Sequence, residues 1–506
     1  MDLIITLISK ICYFLWGDWI HIPLPGSGTL DLPLLVLILV PAGIYFTIRT
    51  GFLQIRMFPD MLRAVLEHAG VSKYAEAAED AEGAECAEAD DKGAAVPAGN
   101  TPDTAETGKK KKRNGISALQ ALVVSTATRV GMGNLVGVVA AVSAGGAGAV
   151  FWMWITALIG SATAFIEATL AQLHKEKDPL YGGYRGGPAY YIHDWINSKR
   201  KGAPKKSILA ILFALSGLIC WCGISQVVSN SVTSSFENAF NIPPVYTVSV
   251  LVILAAIIVL RKNATVKVLD VLVPIMAGIY ILLTLYMIFT NIGQLGTAFK
   301  NIFTEAFGLR QAAAGTFGAV LMNGVKRGLF SNEAGSGSAP CAAAAAEASH
   351  PAKVGLMQAF GVFIDTLLCT CTALIMLVVP ESVIAGQEGM GLLQAAMAWH
   401  MGEAGVIFIA AVLWLFSFTT FLGILFYARS NVAYLFGDNW ASQTAYKVVA
   451  LVMLFIGGLA TYTFVWDLGD VGIGLMTIFN MIALIPLSKQ ALDSLKDFES
   501  KKRLRK

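Results

Sequence analysis

At residues 130–134 the sequence reads Val-Gly-Met-Gly-Asn, in the middle of an apolar segment that runs from Val124 to Val150. A segment of that length can cross a bilayer, where a continuous helix satisfies its own backbone hydrogen bonds. Glycine leaves the helical conformation at low steric cost. Non-helical backbone at membrane depth is tolerated only where it is buried in protein or lines a wet cavity. The interruption therefore predicts a substrate site.

A second interruption lies in the other half of the chain. Residues 315–329 form another glycine-spaced apolar run, which ends in the polar stretch 330–340 before a helix-forming stretch resumes at Cys341. Many secondary transporters contain two discontinuous helices that meet at the midplane of an inverted repeat. The alternative for each interruption is an ordinary polar loop.

The composition is that of a polytopic membrane protein. Of the 506 residues, 56% are hydrophobic and only 14% are charged, too few to solvate the surface of a soluble domain of this size. The net charge of +3 is small and the basic residues gather in short clusters, so no nucleic-acid partner is expected. The seven cysteines are scattered, mostly in apolar segments, and are interpreted as small core residues.

Basic clusters set the expected topology. A first span at 32–48 is followed by Arg49, Arg56 and Arg63, which the positive-inside rule places in the cytoplasm, so the N-terminus is outside. The basic run at 501–506 places the C-terminus in the cytoplasm. Ten further spans are expected, with an outer loop at 291–310, and they fall at 124–150, 151–173, 208–228, 245–260, 268–289, 315–329, 356–379, 406–427, 448–464 and 471–487.

Setting the first span aside leaves two sets of five spans. Because five is an odd number, the second set has the opposite orientation in the membrane. The fold class is therefore an all-α polytopic membrane protein of 11 transmembrane helices, with a 5+5 inverted repeat, two discontinuous helices and one extra N-terminal helix. The expected divisions are 1–73 with the first span, an insertion at 74–113, a first repeat at 114–292, a second repeat at 293–490 and a basic tail at 491–506.

The insertion has a composition of its own. Residues 74–113 are dominated by Glu, Asp, Ala, Gly, Thr and Pro and close with the basic run Lys109–Arg113. Such a segment cannot bury enough apolar surface to offset the entropy of ordering it, so a disordered cytoplasmic insertion is predicted. The basic run is interpreted as a topology determinant that contacts anionic lipid, the alternative being a regulated binding site.

Four stretches, 130–138, 146–154, 186–191 and 330–340, resemble signature sequences of the alanine or glycine:cation symporters, also called sodium:alanine symporters. The resemblance extends from about Leu32 to Leu487. The chain departs from the family pattern in its acidic insertion and in 418–429, which lacks a Trp after Gly423 and a Gly-Glu after Tyr427. The resemblance implies a leucine-transporter-type fold and sodium-coupled uptake of a small amino acid into the cell.

A zwitterionic amino acid needs hydrogen-bond donors for its carboxylate. The backbone N–H groups of Gly131, Met132 and Gly133, freed by the interruption and aided by the half-helix that follows, are the expected donors. Asn134 either caps that half-helix or binds the substrate directly.

The ammonium group needs acceptors. Candidates are carbonyls freed around Phe330 to Asn332 and the side chains of Asn332, Glu333 and Gln226, while Glu333 could instead satisfy backbone left unpaired by the interruption. The family resemblance implies that the residues lining the pocket are Gln226, Phe330, Ser331, Asn332 and Thr419.

Sodium binds several oxygen ligands. The resemblance to leucine-transporter-type folds places Thr419 and Thr420 opposite carbonyls of Ala127 and Val130, although a helical threonine often bonds the carbonyl four residues earlier in its own helix.

Two further charges, Arg129 and Glu167, occur in apolar surroundings and are expected to be structural or gating groups. Glu167 would hold the unwound backbone of the second interruption, and Arg129 would lie at the C-terminal end of the first half-helix.

The sequence therefore predicts a sodium-coupled importer of alanine or glycine in the cell membrane, with sodium as the coupling ion and no other cofactor. The alternatives are a proton-coupled symporter, with Glu333 or Glu167 as carrier, and a non-transporting amino-acid sensor. No nucleophile–base or metal-ligand spacing indicates an enzyme. Gly133→Val is expected to abolish alanine binding with little loss of stability, and Gly148→Ala is expected to be mild.

Overall fold

The fold is almost entirely helical. The computed structural model describes residues 2–24, 28–68, 116–199, 206–261, 264–307, 317–387 and 389–504, so the predicted insertion at 74–113, with Lys109–Arg113, lies outside the described residues. The helices are α1 Asp2–Trp16, α2 Leu34–Arg49, α3 Leu53–Arg56, α4 Phe58–His68, α5 Ala118–Thr128, α6 Val138–Gly145, α7 Gly148–Leu173, α8 Pro188–Ser198, α9 Ile208–Phe240, α10 Pro244–Val259, α11 Ala264–Thr290, α12 Ile292–Glu305, α13 Phe317–Asn332, α14 Pro340–Ala345, α15 Pro351–Leu377, α16 Glu381–Ile384, α17 Met390–Met401, α18 Glu403–Phe436, α19 Trp440–Gly457 and α20 Tyr462–Leu504.

Three short strand pairs accompany the helices. Strands β1 (Asp18–Leu24) and β2 (Gly28–Pro33) form an antiparallel hairpin between α1 and α2. Strand β3 (Ile116–Ser117) runs parallel to β6 (Ala346–Glu347), with Ile116 opposite Ala346. Strands β4 (Glu176–Lys177) and β5 (Tyr184–Arg185) pair in the loop after α7. The β3–β6 pair joins the start of the first interrupted helix to the end of the second.

Eight helical segments in the described part of the chain are long and apolar enough to cross a membrane. Three further apolar helices, Ile5–Trp16, Leu34–Arg49 and Pro244–Val259, are shorter. A multi-pass membrane protein is therefore confirmed, while the exact number of eleven spans remains a prediction. The eight segments are Ala118–Gly145, Gly148–Leu173, Ile208–Phe240, Thr265–Thr290, Pro351–Leu377, Glu403–Phe436, Trp440–Gly457 and Phe464–Leu504.

The structure differs from the sequence prediction in the connections. The expected outer loop at 291–310 contains helix α12, whose residues Ala298 and Ile302 are buried against the core. Helix α17 occupies a stretch that was assigned no span. Helix α20 is 43 residues long and continues past residue 490 to Leu504. These segments are amphipathic or flanked by polar residues, so hydropathy alone does not distinguish them from loops.

The interrupted segments lie at the centre of the bundle. The turn that joins α5 to α6 packs against α13, α15 and α18, and α6 packs against α13. Helix α9 packs against α18, α19 and α20 on one side of this centre, and α7 packs against α13 and α15 on the other. Both interruptions are therefore enclosed by protein, as the cost of unpaired backbone in hydrocarbon requires.

Candidate functional site

The first interruption is a wide π-helical turn over Arg129–Gly137 that leaves helical geometry at Val130 and Gly131, with φ/ψ of −79°/67° and −145°/−143°. A Cβ atom on Gly131 would lie 2.0 Å from Thr420 Oγ1, so the close approach of α18 requires glycine. Every residue of the turn is buried. The interruption expected at 130–134 is present, and its departure from helical geometry is confined to the first two residues.

The backbone donors expected for a carboxylate already contact protein groups. Gly131 N–H donates to Asn134 Oδ1 at 2.9 Å, and Met132 N–H donates to Thr420 Oγ1 at 3.1 Å. A Cβ on Gly133 would lie 3.0 Å from Ser331 Cα, in the second interruption. A carboxylate bound at Gly131 or Met132 would therefore replace Asn134 or Thr420, and Asn134 satisfies the turn's own backbone in this conformation.

The second interruption separates α13 from α14. Glu333 follows the last residue of α13 with a φ of +58°, in the left-handed region that a side chain disfavours, and Gly335 and Gly337 have φ of +97° and +82°. Asn332 Oδ1 accepts from Ala334 N–H at 2.9 Å, so this side chain satisfies local backbone rather than facing an open pocket.

The two interruptions are joined by a carboxylate of α15. Asp365 Oδ1 accepts from Ser331 Oγ at 2.6 Å and from Asn134 Nδ2 at 2.8 Å. Only 2% of the Asp365 surface is exposed, and Cys369 Sγ lies 3.2 Å from Ser331 Oγ. One buried carboxylate thus bridges a residue of each discontinuous helix.

Asp365 was not among the residues identified from the sequence. The signal was present, because Asp365 is an acidic residue inside an apolar span, and ionisable residues within membrane spans are costly and usually functional. Its partners could not be read from the sequence, since Asn134 is 231 positions away along the chain.

Glu333 also contacts a helix that packs on the first interruption. Tyr427 Oη donates to Glu333 Oε2 at 3.1 Å and lies 2.6 Å from Thr128 Oγ1, in the last turn before the interruption. The side chain therefore links α13, α18 and α5, and Glu333 is buried.

Glu167 contacts the unwound backbone of the second interruption. Gly335 N–H donates to Glu167 Oε2 at 3.0 Å, and Asn480 Nδ2 donates both to Glu167 Oε1 and, at 3.0 Å, to the Gly335 carbonyl oxygen. Tyr191 Oη in turn donates to Asn480 Oδ1. The contact between Glu167 and the unwound backbone was expected from the sequence. The contacts of Asn480 and Tyr191 were not.

Arg129 lies among these acidic groups with 1% of its surface exposed. Its Nη1 donates to the Gln358 carbonyl oxygen at 3.0 Å and to Gln358 Oε1 at 3.2 Å, rather than to a carboxylate. It nevertheless interacts electrostatically with the carboxylates of Glu167, Glu333 and Asp365. The buried centre thus brings three carboxylates near one guanidinium.

The two threonines expected at a cation site are not equivalent. Thr420 Oγ1 donates to the Ala127 carbonyl oxygen at 3.4 Å and accepts from Met132 N–H, next to the non-helical step at Val130. Thr419 Oγ1 instead donates to the Phe416 carbonyl of its own helix at 3.0 Å. Thr420 therefore faces the first interruption. Thr419 bonds a carbonyl of its own helix, although the one three residues earlier rather than the one four residues earlier.

Phe330 and Gln226, both expected to line the pocket, lie in different places. The Phe330 ring lies 5.0 Å from the Trp466 ring and within 3.9 Å of a Cβ placed on Gly137, so it lies between the interrupted segments and α20. Gln226 instead faces α19, where its Nε2 lies 3.4 Å from Met453 Sδ and its Cα lies 2.2 Å from a Cβ placed on Gly457. In this conformation Gln226 therefore contacts α19 rather than the interruptions, and its place in the substrate pocket stays a prediction.

A charged cluster that was not identified from the sequence lies one helical turn before Phe330. Asp470 on α20 accepts from Arg327 at 3.2 Å through both carboxylate oxygens and from Lys326 Nζ at 2.7 Å. The Arg327 guanidinium lies 4.1 Å from the Trp466 ring centroid. Trp16 Nε1 of α1 donates to the Asp470 carbonyl oxygen at 3.1 Å, so the N-terminal helix is attached to the same cluster.

A second missed cluster joins α18 to the loop after α7. Arg429 Nη2 donates to Asp178 Oδ2 at 3.0 Å, and its guanidinium lies 3.6 Å from the Tyr181 ring centroid. Arg185 Nη1 pairs with Asp438 Oδ2 at 2.7 Å. In a partly buried setting the counter-charge of each group offsets part of the desolvation cost of the other.

Comparison with known proteins identifies a family. The family model described as the sodium:alanine symporter family matches residues 25–80 and 100–506. A protein named probable sodium/glutamine symporter GlnT, from Bacillus subtilis strain 168, is 39% identical over 93% of this chain and 88% of its own length. A Bacillus subtilis protein named putative sodium/proton-dependent alanine carrier protein YrbD is 37% identical over 92% of this chain and 90% of its own length.

A third relative comes from another organism. The sodium/alanine symporter AgcS of Methanococcus maripaludis is 32% identical over 98% of this chain and 97% of its own length. Among solved structures, a manganese transporter from Eremococcus coleocola aligns at 10% identity with a TM-score of 0.49, covering 77% of this chain and 81% of that chain.

Proposed function

The chain belongs to the sodium:alanine symporter family, and from that membership we propose that it couples inward movement of a small neutral amino acid, alanine or glycine, to the sodium gradient by alternating access. Its relatives carry the names of transporters, and it is a transporter rather than an enzyme.

The observation that carries the proposal is the bridge from Asp365 to Asn134 and Ser331, within a centre where three buried carboxylates lie near one guanidinium. A buried negative charge that has lost its partner costs about 3–5 kcal/mol. A bound cation would offset that cost, and its release would loosen the contact between the two interruptions.

In this proposal Thr420 and the carbonyls of Ala127 and Val130 supply oxygen ligands to sodium, with Thr419 in a supporting position. Asp365 supplies negative charge to the same centre. Hard cations prefer oxygen ligands of these types. Val130 contributes because its non-helical backbone frees its carbonyl oxygen from the regular helical pattern.

The substrate is proposed to lie between the interruptions. Its carboxylate would replace Asn134 Oδ1 as acceptor at Gly131 N–H and Thr420 Oγ1 at Met132 N–H, with Gly133 N–H as a further donor and Asn134 alongside. Its ammonium would be met by groups at 330–333, namely Phe330, Ser331, Asn332 and Glu333. Gln226 would reach this site only in another conformation, since its amide contacts Met453 in this one. Arg129 and Glu167 are assigned structural or gating roles.

The proposed arrangement in the membrane has eleven spans and two five-helix repeats of opposite orientation, with the N-terminus outside and the C-terminus cytoplasmic. Ten of the proposed spans coincide with the eight long apolar helices and with the shorter helices Leu34–Arg49 and Pro244–Val259 among the described residues. The span proposed at 315–329 corresponds to α13, and the apolar helix Ile5–Trp16 lies outside the proposed eleven. The basic clusters beside the spans support the orientation. The proposed unit boundaries remain 1–73, 74–113, 114–292, 293–490 and 491–506, and anionic lipid is proposed as the partner of Lys109–Arg113.

Two rivals have specific support. A proton could replace sodium, because Glu333 and Glu167 are buried carboxylates at the second interruption and one relative is named a sodium/proton-dependent alanine carrier. Glutamine could replace alanine, because another relative is named a probable sodium/glutamine symporter.

Purified protein in proteoliposomes tests these choices. Uptake of labelled alanine driven by an inward sodium gradient, and persisting in the presence of a protonophore, supports sodium coupling. Uptake that follows a proton gradient without sodium would overturn it. Competition by unlabelled glycine, L-alanine, D-alanine and glutamine ranks the substrates. Counterflow of labelled alanine without any ion gradient separates a transporter from a sensor, since a sensor gives none.

A further inference from the structure

Helix α14 follows the second interruption and has only six residues, all of them buried, and it packs against α7, α5 and α18. The carbonyl groups at a helix C-terminus have no partner within the helix and must be satisfied from outside. At the end of α14, the carbonyl oxygens of Ala343 and Ala346 both accept from Gln172 Nε2, the latter at 3.0 Å. The Ala346 oxygen also accepts from Lys175 Nζ at 2.8 Å.

Lys175 and Gln172 therefore form a clamp, which we define by these two residues at the end of α7. Lys175 Nζ donates to Gln172 Oε1 at 2.8 Å, so the ammonium also orients the amide that holds Ala343. A cation is electrostatically favourable at a helix C-terminus. A Cβ on Gly186 would lie 2.8 Å from Ala344 Cβ and 3.3 Å from Lys175 Cα, so there is little free space around the clamp.

The surroundings of Lys175 contain few charges. The Tyr184 ring of β5 lies under the ammonium at 4.3 Å, and the Glu347 carboxylate of β6 acts on it electrostatically. Burial lowers the pKa of Lys175 to about 8, against the opposing effect of Glu347. The neighbouring His174 faces Asp194 of α8 and Gln490 of α20 instead. Glu176 and Arg185, the other charges of the β4–β5 pair, contact each other at 3.9 Å.

We propose that Lys175 is a positioning residue for the second broken helix, whose charged form holds α14 in the arrangement that transport requires. The Gln172–Lys175 clamp fixes one end of α14, while Glu167 fixes the backbone of Gly335 just before its other end. Loss of the ammonium proton to bulk water removes the charge and leaves Ala346 with a weaker donor. The short helix then has freedom to shift, and the geometry of the interruption shifts with it.

This inference rests on the proposed transport function, so the test has one arm that needs no transport. Hydrogen–deuterium exchange of the purified protein at about pH 7 compares wild type with Lys175→Met and Lys175→Arg. Faster exchange of the amides at 340–347 is expected in Lys175→Met only, because arginine retains the charge and the donors. Equal exchange in all three proteins would overturn the clamp, whatever the protein transports.

The second arm measures alanine uptake in proteoliposomes with equal pH on both sides, at saturating alanine and sodium. With the pKa of Lys175 at about 8, its protonated fraction falls from about 0.9 at about pH 7 to about 0.1 at about pH 9, roughly tenfold. Wild-type uptake should fall over that range, Lys175→Arg should stay flat, and Lys175→Met should be slow throughout. Lys177→Met, which alters an exposed lysine two residues away, should follow wild type.

Failure of the two hypotheses is distinguishable. Wild-type vesicles that take up no alanine under a sodium gradient contradict the proposed function, while the exchange arm still decides the clamp. Wild-type uptake that is active but keeps its alkaline fall in Lys175→Arg overturns the role of Lys175. Substituting His174 by glutamine should leave the alkaline fall in place, because His174 contacts neither Ala343 nor Ala346 in the described hydrogen bonds.

Discussion

Ser331 donates a 2.6 Å hydrogen bond to Asp365, and the same carboxylate oxygen accepts from Asn134 at 2.8 Å. The first residue belongs to the end of α13 and the last to the turn between α5 and α6, so one oxygen atom of α15 contacts both discontinuous helices. Any change of charge at this atom acts on both interruptions together.

Asp365→Asn should lower apparent sodium affinity by about tenfold or more, about 1.4 kcal/mol, because it keeps the size and one acceptor but removes the charge. Sodium dependence of alanine uptake in proteoliposomes measures this. Thr366→Val is the matched control, since Thr366 Oγ1 bonds the Val362 carbonyl of its own helix, at 2.7 Å. Wild-type sodium dependence in Asp365→Asn would remove the carboxylate from the coupling site.

Thr420→Val should weaken sodium binding more than Thr419→Val. The first substitution removes a hydroxyl that contacts Ala127 and leaves Met132 N–H without its acceptor, a loss of about 1–3 kcal/mol. The second removes a hydroxyl that bonds its own helix. Equal sodium affinities for the two variants, measured at saturating alanine, would contradict the assignment of Thr420 to the cation site.

Gly133→Val should abolish alanine binding, because its Cβ would lie 3.0 Å from Ser331 Cα and push the interruptions apart. The sequence alone predicted little loss of stability, but the same contact leads us to expect a lower thermal unfolding temperature as well. Scintillation proximity with labelled alanine and thermal unfolding of the apo protein measure the two effects. Gly137→Ala, whose Cβ would meet Phe330 at an ordinary 3.9 Å, should retain binding.

Gly148→Ala should be damaging rather than mild. A Cβ at this position would lie 2.4 Å from the Glu305 carbonyl carbon, and backbone of α12 cannot move away as a flexible side chain can. Overpacking of this kind costs about 1–3 kcal/mol. Thermal unfolding in detergent measures the loss, and Gly278→Ala, with no atom within 4 Å of its Cβ, should show none. Unfolding temperatures that agree between Gly148→Ala and wild type would show that α12 is displaced easily.

Asp470→Asn should destabilise the protein by about 3–5 kcal/mol, because the buried Arg327 and the partly buried Lys326 would lose their counter-charge. Unfolding in mixed micelles with increasing denaturing detergent measures the change. Asp467→Asn is the control, since its carboxylate contacts Ser9 at 3.0 Å in a partly exposed position. A loss no larger than that of the control would show that the two cations reach solvent or another anion.

The sequence determined the class of the protein and the place of its interruptions. Apolar runs long enough to cross a bilayer are visible in hydropathy, and glycine and polar residues inside such runs are costly enough to mark 130–134 and 330–340 without knowledge of any contact. The expected importance of Glu167 followed in the same way, because a lone buried charge needs a partner nearby.

Tertiary structure alone decided which partner each polar group has. Asp365, Asp470 and Lys175 contact residues that are far away in the chain. Thr419 and Thr420 are neighbours on one helix, but their hydroxyl groups point to different acceptors. Helical periodicity places neighbouring residues about 100° apart, yet in a helix buried on nearly all sides it does not say which face meets which neighbour. Packing among α5, α13, α15 and α18 makes that choice, and with it the geometry of the proposed site.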